Sequence, residues 1–246
     1  MIVVNRSSTI SCQLSTKMGR NKLYKFEALR QLEFVYENKD PENPQLTNST
    51  GEVVDLKGNW CSLHFQNSHP LVLELACGRG EYSLGLAQLY PNKNFIGLDI
   101  KGARLFQGSE KAVALNLKNV AFLRTRIEQI GLFFDKNEVD EIWITFPDPF
   151  LRESKSNRRL TSIPFLERFY PILKQDAFVN LKTDSFELYT FTLDTLNQQK
   201  LFKLHTSNEN IYAANNIVEA LLIQTYYERM HLAAKKTIKF VSFNKV

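Results

Sequence analysis

The chain has 246 residues, 43% hydrophobic and 12% aromatic, enough for one large domain with a sizeable core. No run approaches the roughly 18 consecutive apolar residues of a membrane span, and residues 1–13 lack an apolar segment followed by a small-residue cleavage pattern, so no membrane association or signal peptide is expected and the cytoplasm is. The formal net charge is only +5, yet residues 1–30 carry six Lys/Arg against Glu27 (+5) and residues 224–246 carry five against Glu228 (+4), which leaves the middle at −4.

Basic tails on a mildly acidic body suit a polyanion footprint confined to one surface, with a solvated charged face as the ordinary alternative. Cys12, Cys61 and Cys77 form no CxxC pair and leave an odd count, which fits a reducing compartment. His64 and His69 have no cysteine or carboxylate at ligand spacing, so no metal is expected.

Residues 1–20 are polar and Ser/Thr-rich and read as a mobile basic arm before a single domain spanning 21–246. Phe26, Leu29, Leu32 and Val35 or Tyr36 recur at helical spacing, which predicts a short helix over 22–36. Residues 40–50, with Pro41, Pro44 and several Asn/Ser/Thr, predict a loop. Short apolar runs then alternate with longer amphipathic stretches. Strands are predicted at 71–75, 94–99, 119–124, 139–146, 177–183, 201–206 and 237–243, and helices near 80–90, 103–117, 162–173, 186–198 and 214–223. Repeated strand, helix, strand with short connections implies right-handed crossovers. The expected fold is a doubly wound α/β domain with a mostly parallel seven-stranded sheet and an antiparallel C-terminal strand.

Three strand ends carry chemistry. The first strand closes on Glu74, followed by Cys77-Gly78-Arg79-Gly80-Glu81; two glycines let a ligand approach the backbone at the carboxyl end of a parallel strand. The third position of a dinucleotide fingerprint is Ser83, so a pyrophosphate cradle fits poorly. The second strand, Phe95-Ile96-Gly97-Leu98, ends on Asp99, an acid placed to accept ribose hydroxyls; capping of the helix near Gly102 is the alternative. The fourth strand ends in Phe146-Pro147-Asp148-Pro149-Phe150, with Arg152, Lys155, Arg158 and Arg159 following. A carboxylate exposed beside a basic ribbon suggests an enzyme acting on nucleic acid.

Glu74-x-x-Cys77-Gly78-x-Gly80-Glu81 with Phe95-Ile96-Gly97-x-Asp99 resembles the cofactor motifs of S-adenosylmethionine-dependent methyltransferases with a Rossmann-like fold. Phe146-Pro147-Asp148-Pro149, Arg158-Arg159-Leu160, Lys182-Thr183-Asp184 and Thr225-Tyr226-Tyr227-Glu228 look like one branch, the tRNA (guanine-N7-)-methyltransferases, in order from about residue 70 to the end. The resemblance implies S-adenosyl-L-methionine as cofactor and tRNA as partner. It implies Glu74, Gly78, Asp99, Arg126 and Asp148 as cofactor-binding positions, with Asp148 at the transferred methyl, and Arg152, Asp184, Thr225, Tyr226, Tyr227 and Glu228 as substrate contacts. Asp184 has an alternative as the cap of the 186–198 helix, and Thr225-x-x-Glu228 is also a capping-box pattern.

This chain departs from the family pattern in several places. Ala76 stands at the first glycine of the turn, small but costly at positive φ, so cofactor binding is expected only if that position keeps an ordinary backbone. Arg126 stands where the family has an acid and cannot accept from an adenine amino group, so adenine contact there falls to backbone or stacking. Phe150 replaces a tryptophan, and Glu153, Ser154, Ser156 and Asn157 thin the ribbon, which shifts RNA grip toward the two basic tails. Two other readings stay open: an RNA-binding protein with a decayed cofactor site, and a methyltransferase for another substrate. Monomer and homodimer are equally open.

Overall fold

The structure, a computed structural model, describes residues 34–246. The 1–20 arm, Cys12 and most of the 22–36 helix expected from the sequence lie outside the described residues. The strands are β1 (Val35–Glu37), β2 (Leu71–Leu75), β3 (Asn94–Asp99), β4 (Val120–Arg124), β5 (Val139–Thr145), β6 (Leu173–Thr183), β7 (Phe202–Asn208) and β8 (Lys239–Lys245). They form one eight-stranded sheet in the order β1-β4-β3-β2-β5-β6-β8-β7, in which β8 alone runs antiparallel, against both β6 and β7. The helices are α1 (Glu81–Leu89), α2 (Gly102–Ala114), α3 (Ile163–Phe169), α4 (Phe186–Gln198) and α5 (Tyr226–Ala233).

The sheet is covered on both faces because its central strands place apolar residues on each face. In β2, Leu71, Leu73 and Leu75 join a core with Phe165, Leu166 and Phe169 of α3 and Leu188 and Leu196 of α4. Val72 points the other way, into a core with Tyr82, Leu84 and Leu86 of α1 and Leu105, Phe106 and Ala112 of α2. Period-two alternation with both faces buried is the signature of a parallel sheet wrapped by crossover helices. Among the described residues no helix is long and apolar enough to cross a membrane.

Three elements differ from the sequence expectation. Val35 and Tyr36 belong to an edge strand, not to the end of a helix. Val35 to Glu37 pair in parallel with Phe122 to Arg124 of β4, and this supplies the eighth strand. The helix expected at 214–223 is absent: residues Glu219–Leu222 form a 3-10 turn, and the helix starts instead at Tyr226, capped by Thr225. The helix expected at 162–173 stops at Phe169, and Leu173 already pairs with Val139, ahead of a bulge that restores register at Phe178.

Candidate active site

The carboxyl ends of β3, β2 and β5 lie side by side and bring most of the predicted cofactor positions together. After β2 the backbone enters the left-handed region three times, at Ala76 (φ +56°), Gly78 (+59°) and Gly80 (+62°). Only glycine is possible at Gly80, where an added Cβ would collide with the Phe122 ring. Gly78 differs, since nothing lies within 4 Å of an added Cβ, and its backbone is open to a ligand. Ala76 corrects the sequence expectation. It takes the left-handed conformation that glycine would take, so the turn keeps its shape.

Glu74 is buried at the end of β2 and links three elements. Its carboxylate accepts from the Ser83 backbone N–H at 2.8 Å and hydroxyl on α1, and from the Thr145 hydroxyl at 2.8 Å at the end of β5. Burial pushes its pKa up to about 7; the Ser83 and Thr145 hydrogen bonds oppose this, and neighbouring Asp99 adds to it. Ser83, which takes the place of the third glycine in the sequence pattern, is therefore a carboxylate partner. Asp99 is also buried, and accepts from Gly78 N–H at 2.8 Å and Lys101 N–H at 2.7 Å. One acid thus ties the glycine turn to the start of α2. Arg126 stands apart: it is exposed at the start of the 3-10 turn Ile127–Leu132, and its side chain makes no hydrogen bond among the described residues.

Asp148 is exposed at the tip of the loop after β5, where its Oδ1 accepts from Phe150 N–H at 3.0 Å. Both flanking phenylalanines are left-handed, Phe146 at φ +49° and Phe150 at +41°. Bulky side chains rarely adopt that region, and such backbone persists only where its surroundings impose it. Phe146 is held by its N–H to the Lys182 carbonyl at 2.8 Å and by stacking on His231 at 5.8 Å. Of the ribbon, Arg152, Lys155 and Arg158 are exposed along the turn Glu153–Arg158, and the Arg158 guanidinium lies 5.0 Å from the Phe150 ring centre. Arg159 is not on that surface; it is 5% exposed.

The substrate positions gather at α5. Asp184 accepts from Lys236 at 2.7 Å and lies 3.3 Å from His231 Nδ1, while Ser185 caps α4, so Asp184 is not that helix's cap. Thr225 accepts from Glu228 N–H at 3.2 Å, one half of a capping box. The other half is missing because the Glu228 side chain turns inward, fully buried, to Lys182 at 2.8 Å and the Tyr212 hydroxyl at 2.8 Å. Tyr226 and Tyr227 are 42% and 46% exposed. Arg79 of the glycine turn stacks on Tyr226 at 5.0 Å, Arg104 of α2 donates to the Tyr227 hydroxyl at 3.4 Å, and Tyr226 N–H donates to Glu81 at 2.6 Å.

Lys182 belongs to the sequence pattern but carries no role there. Fully buried, its ammonium donates to Glu228, the Leu221 carbonyl at 2.7 Å and the Ile223 carbonyl at 3.0 Å, so all three donors are used. A lysine near the end of an apolar strand is the available signal, since a buried cation needs partners. Among the described residues no cluster of three or more His, Cys, Asp or Glu side chains is placed to hold a metal ion.

Comparison with known proteins agrees with this arrangement. Residues 68–241 match the family model described as "Putative methyltransferase". A tRNA (guanine-N(7)-)-methyltransferase of Christiangramia forsetii is 43% identical over 92% of this chain and 98% of its own length. A protein of the same name from Bacteroides thetaiotaomicron is 41% identical over 92% of this chain and 86% of its own. The crystal structure of the 16S rRNA methyltransferase KamB overlays with a TM-score of 0.59 at 15% identity, covering 79% of this chain and 96% of that one, and so shares the fold. With the strand-end groups in place and the match running almost end to end, the chain belongs to the tRNA (guanine-N(7)-)-methyltransferase family.

Proposed function

We propose that this chain is an enzyme that transfers a methyl group from S-adenosyl-L-methionine to N7 of a guanine in tRNA, in the cytoplasm. The observation that carries the reading is a juxtaposition. Asp148 is exposed at the end of β5, the strand beside β2, whose end bears the glycine turn and its two buried acids, and the exposed Arg152, Lys155 and Arg158 follow directly.

The residues present fit the cofactor. Open space over Gly78 receives it, Asp99 has lone pairs beyond its two backbone bonds for ribose hydroxyls, and Glu74 lies toward the amino-acid end. Arg126 would contribute at the adenine through its backbone or its guanidinium plane. When bound, S-adenosylmethionine supplies an electrophilic methyl on a sulfonium sulfur.

Guanine N7 attacks with an in-plane lone pair and carries no proton, so no base is needed to create the nucleophile. Positioning dominates, a contribution that can reach roughly 7–11 kcal/mol in favourable systems. As the N–C bond would form at the expense of the sulfonium S–C bond, whose electron pair returns to sulfur, positive charge would pass to the purine, where Asp148 opposes it electrostatically or grips the N1/N2 edge. Arg152 and its ribbon hold phosphates; Tyr226, Tyr227 and Asp184 border the substrate, with the tyrosine rings available for stacking on a base lifted from its stack, and buried Thr225 caps the helix that carries those rings. Buried Glu228 supports that surface from beneath.

Incubating tRNA with labelled cofactor, followed by chain cleavage at 7-methylguanosine, tests the reading. Label at cleavable guanines is expected, and unlabelled tRNA refutes the assignment. Asp148→Ala is expected to lose turnover far more than tRNA affinity; a fully active variant removes Asp148 from the reaction.

A further inference from the structure

We infer that Arg159, the last basic residue of the ribbon, is a positioning residue for the Asp148 loop and not a phosphate contact. The inference rests on the reading that Asp148 faces the reacting purine. Arg159 is 5% exposed, whereas Arg152, Lys155 and Arg158 are open to solvent. Its Nε donates to the Pro149 carbonyl at 3.1 Å and the Phe150 carbonyl at 3.3 Å, and its Nη2 donates to the Phe150 carbonyl at 3.0 Å. The guanidinium plane lies 4.3 Å from the centre of the Phe191 ring on α4. Glu153 Oε2, largely in solvent, is 4.0 Å away. To reach a phosphate, the side chain would have to leave two carbonyls and its aromatic platform.

The hydrogen bonds run on to the reacting centre. Arg159 holds the Phe150 carbonyl, and the Phe150 N–H holds Asp148 Oδ1 at 3.0 Å. Phe150 is left-handed, a conformation a phenylalanine does not keep without support. Phe146 is fixed by β6 and His231 at the other end of the loop, so Arg159 is the matching anchor at this end. A planar fork can bridge two successive carbonyls in a fixed geometry while lying flat on a ring; an ammonium is a compact point charge without the fork or the flat face, so it cannot hold both contacts in this arrangement.

The test compares kcat, the tRNA KM and the salt dependence of tRNA binding in Arg159→Lys, Arg159→Ala, Phe191→Leu and Arg158→Ala. A strut predicts that Arg159→Lys, although it keeps the charge, loses roughly 10–100-fold in kcat through misplacement of Asp148, with tRNA KM unchanged. Arg159→Ala would lose kcat at an unchanged salt slope, whereas Arg158→Ala flattens that slope by about 0.7–0.9. Should Arg159→Ala not fold, Phe191→Leu decides with Arg159→Lys, because it removes only the platform and is expected to lower kcat at constant slope. Wild-type kcat in Arg159→Lys, or a slope flattened in Arg159→Ala as in Arg158→Ala, overturns the inference. Asp148→Ala is run alongside: full turnover there removes the underlying reading, while an inactive Asp148→Ala with a fully active Arg159→Lys overturns the strut alone.

Discussion

Ala76 and Glu74 stand two positions apart in the cofactor turn, and each carries a cost that a single substitution can expose. An L-residue in the left-handed region costs roughly 1–2 kcal/mol, and replacing it with glycine gives back roughly 0.5–1 kcal/mol in chain entropy. Ala76, at φ +56°, should therefore gain about 1 kcal/mol on Ala76→Gly, a rise of roughly 2–4 °C in Tm for a domain of this size, read by thermal melts. A fall in Tm would mean that the methyl group's packing outweighs the backbone strain. Glu74 is an acid whose pKa rises from 4.5 to about 7 on folding, so the folded state holds a proton that the unfolded state has released. The stability this confers is full below the unfolded pKa and is lost as pH rises through about 7. Glutamine keeps the geometry, accepting from Ser83 and donating to the Thr145 hydroxyl. Relative to wild type, Glu74→Gln should be level near about pH 4 and more stable by up to about 3 kcal/mol near about pH 8, as measured by urea unfolding. A pH-independent difference would show that Glu74 does not titrate there.

The segment from Ile211 through α5 is held on the sheet by polar bonds to buried groups as well as by apolar packing. Lys182 binds the Leu221 and Ile223 carbonyls and Glu228, and the Tyr82 hydroxyl donates to the Ala220 carbonyl at 2.7 Å. Removing one partner of a buried pair strands the other, so Lys182→Met is expected to cost about 3–5 kcal/mol. Adding Glu228→Gln should recover a large part of that, and denaturant unfolding of the two singles and the double would show strong non-additivity; additive losses would refute the coupling. These tertiary bonds also explain what could be read from the sequence. Strands β2 and β3 and helix α4 have the predicted bounds, because local punctuation, the glycine turn after β2, Asp99 closing β3 and Ser185 before the helix, coincides with the limits of each apolar pattern. The apolar residues Ile217, Val218, Leu221 and Leu222 suggest a helix, but the carbonyls there are given to Lys182 and Tyr82, partners roughly 40 and 140 positions away in the chain. Likewise, β1 is decided by the open edge of β4, which no local pattern reveals. In the site, Glu74, Gly78 and Asp99 are legible because adjacent parallel strand ends must meet. The inward turns of Arg159 and Glu228 are not, because charge in a sequence reads as surface.

Across the molecule, the sequence distribution of charge overstates what faces a polyanion. The C-terminal excess of +4 lies mostly on β8 and the turn before it. Lys239 is 6% exposed and donates to the Asp184 and Thr237 carbonyls, Lys245 is 6% exposed and donates to Asn137 and the Leu173 carbonyl, and Lys236 is paired with Asp184. Lys239 and Lys245 are therefore strand buttresses, while Arg229, Lys235 and Lys236 stay exposed, so only part of the C-terminal charge is open to RNA. Among the described residues, the exposed cations nearest Asp148 in the chain are Arg152, Lys155 and Arg158. Counterion release then separates the two groups of basic residues. Arg152→Ala with Lys155→Ala should flatten the slope of log affinity for tRNA against log salt by about 1.4–1.8, at about 0.7–0.9 for each phosphate no longer neutralised. Lys245→Met should leave that slope at the wild-type value while lowering stability, because it leaves the Leu173 carbonyl without its donor, a loss of about 1–3 kcal/mol. Filter binding between about 50 and 200 mM salt, paired with urea unfolding of the same variants, makes the comparison. An equal flattening from Lys245→Met would return β8 to the RNA-binding surface.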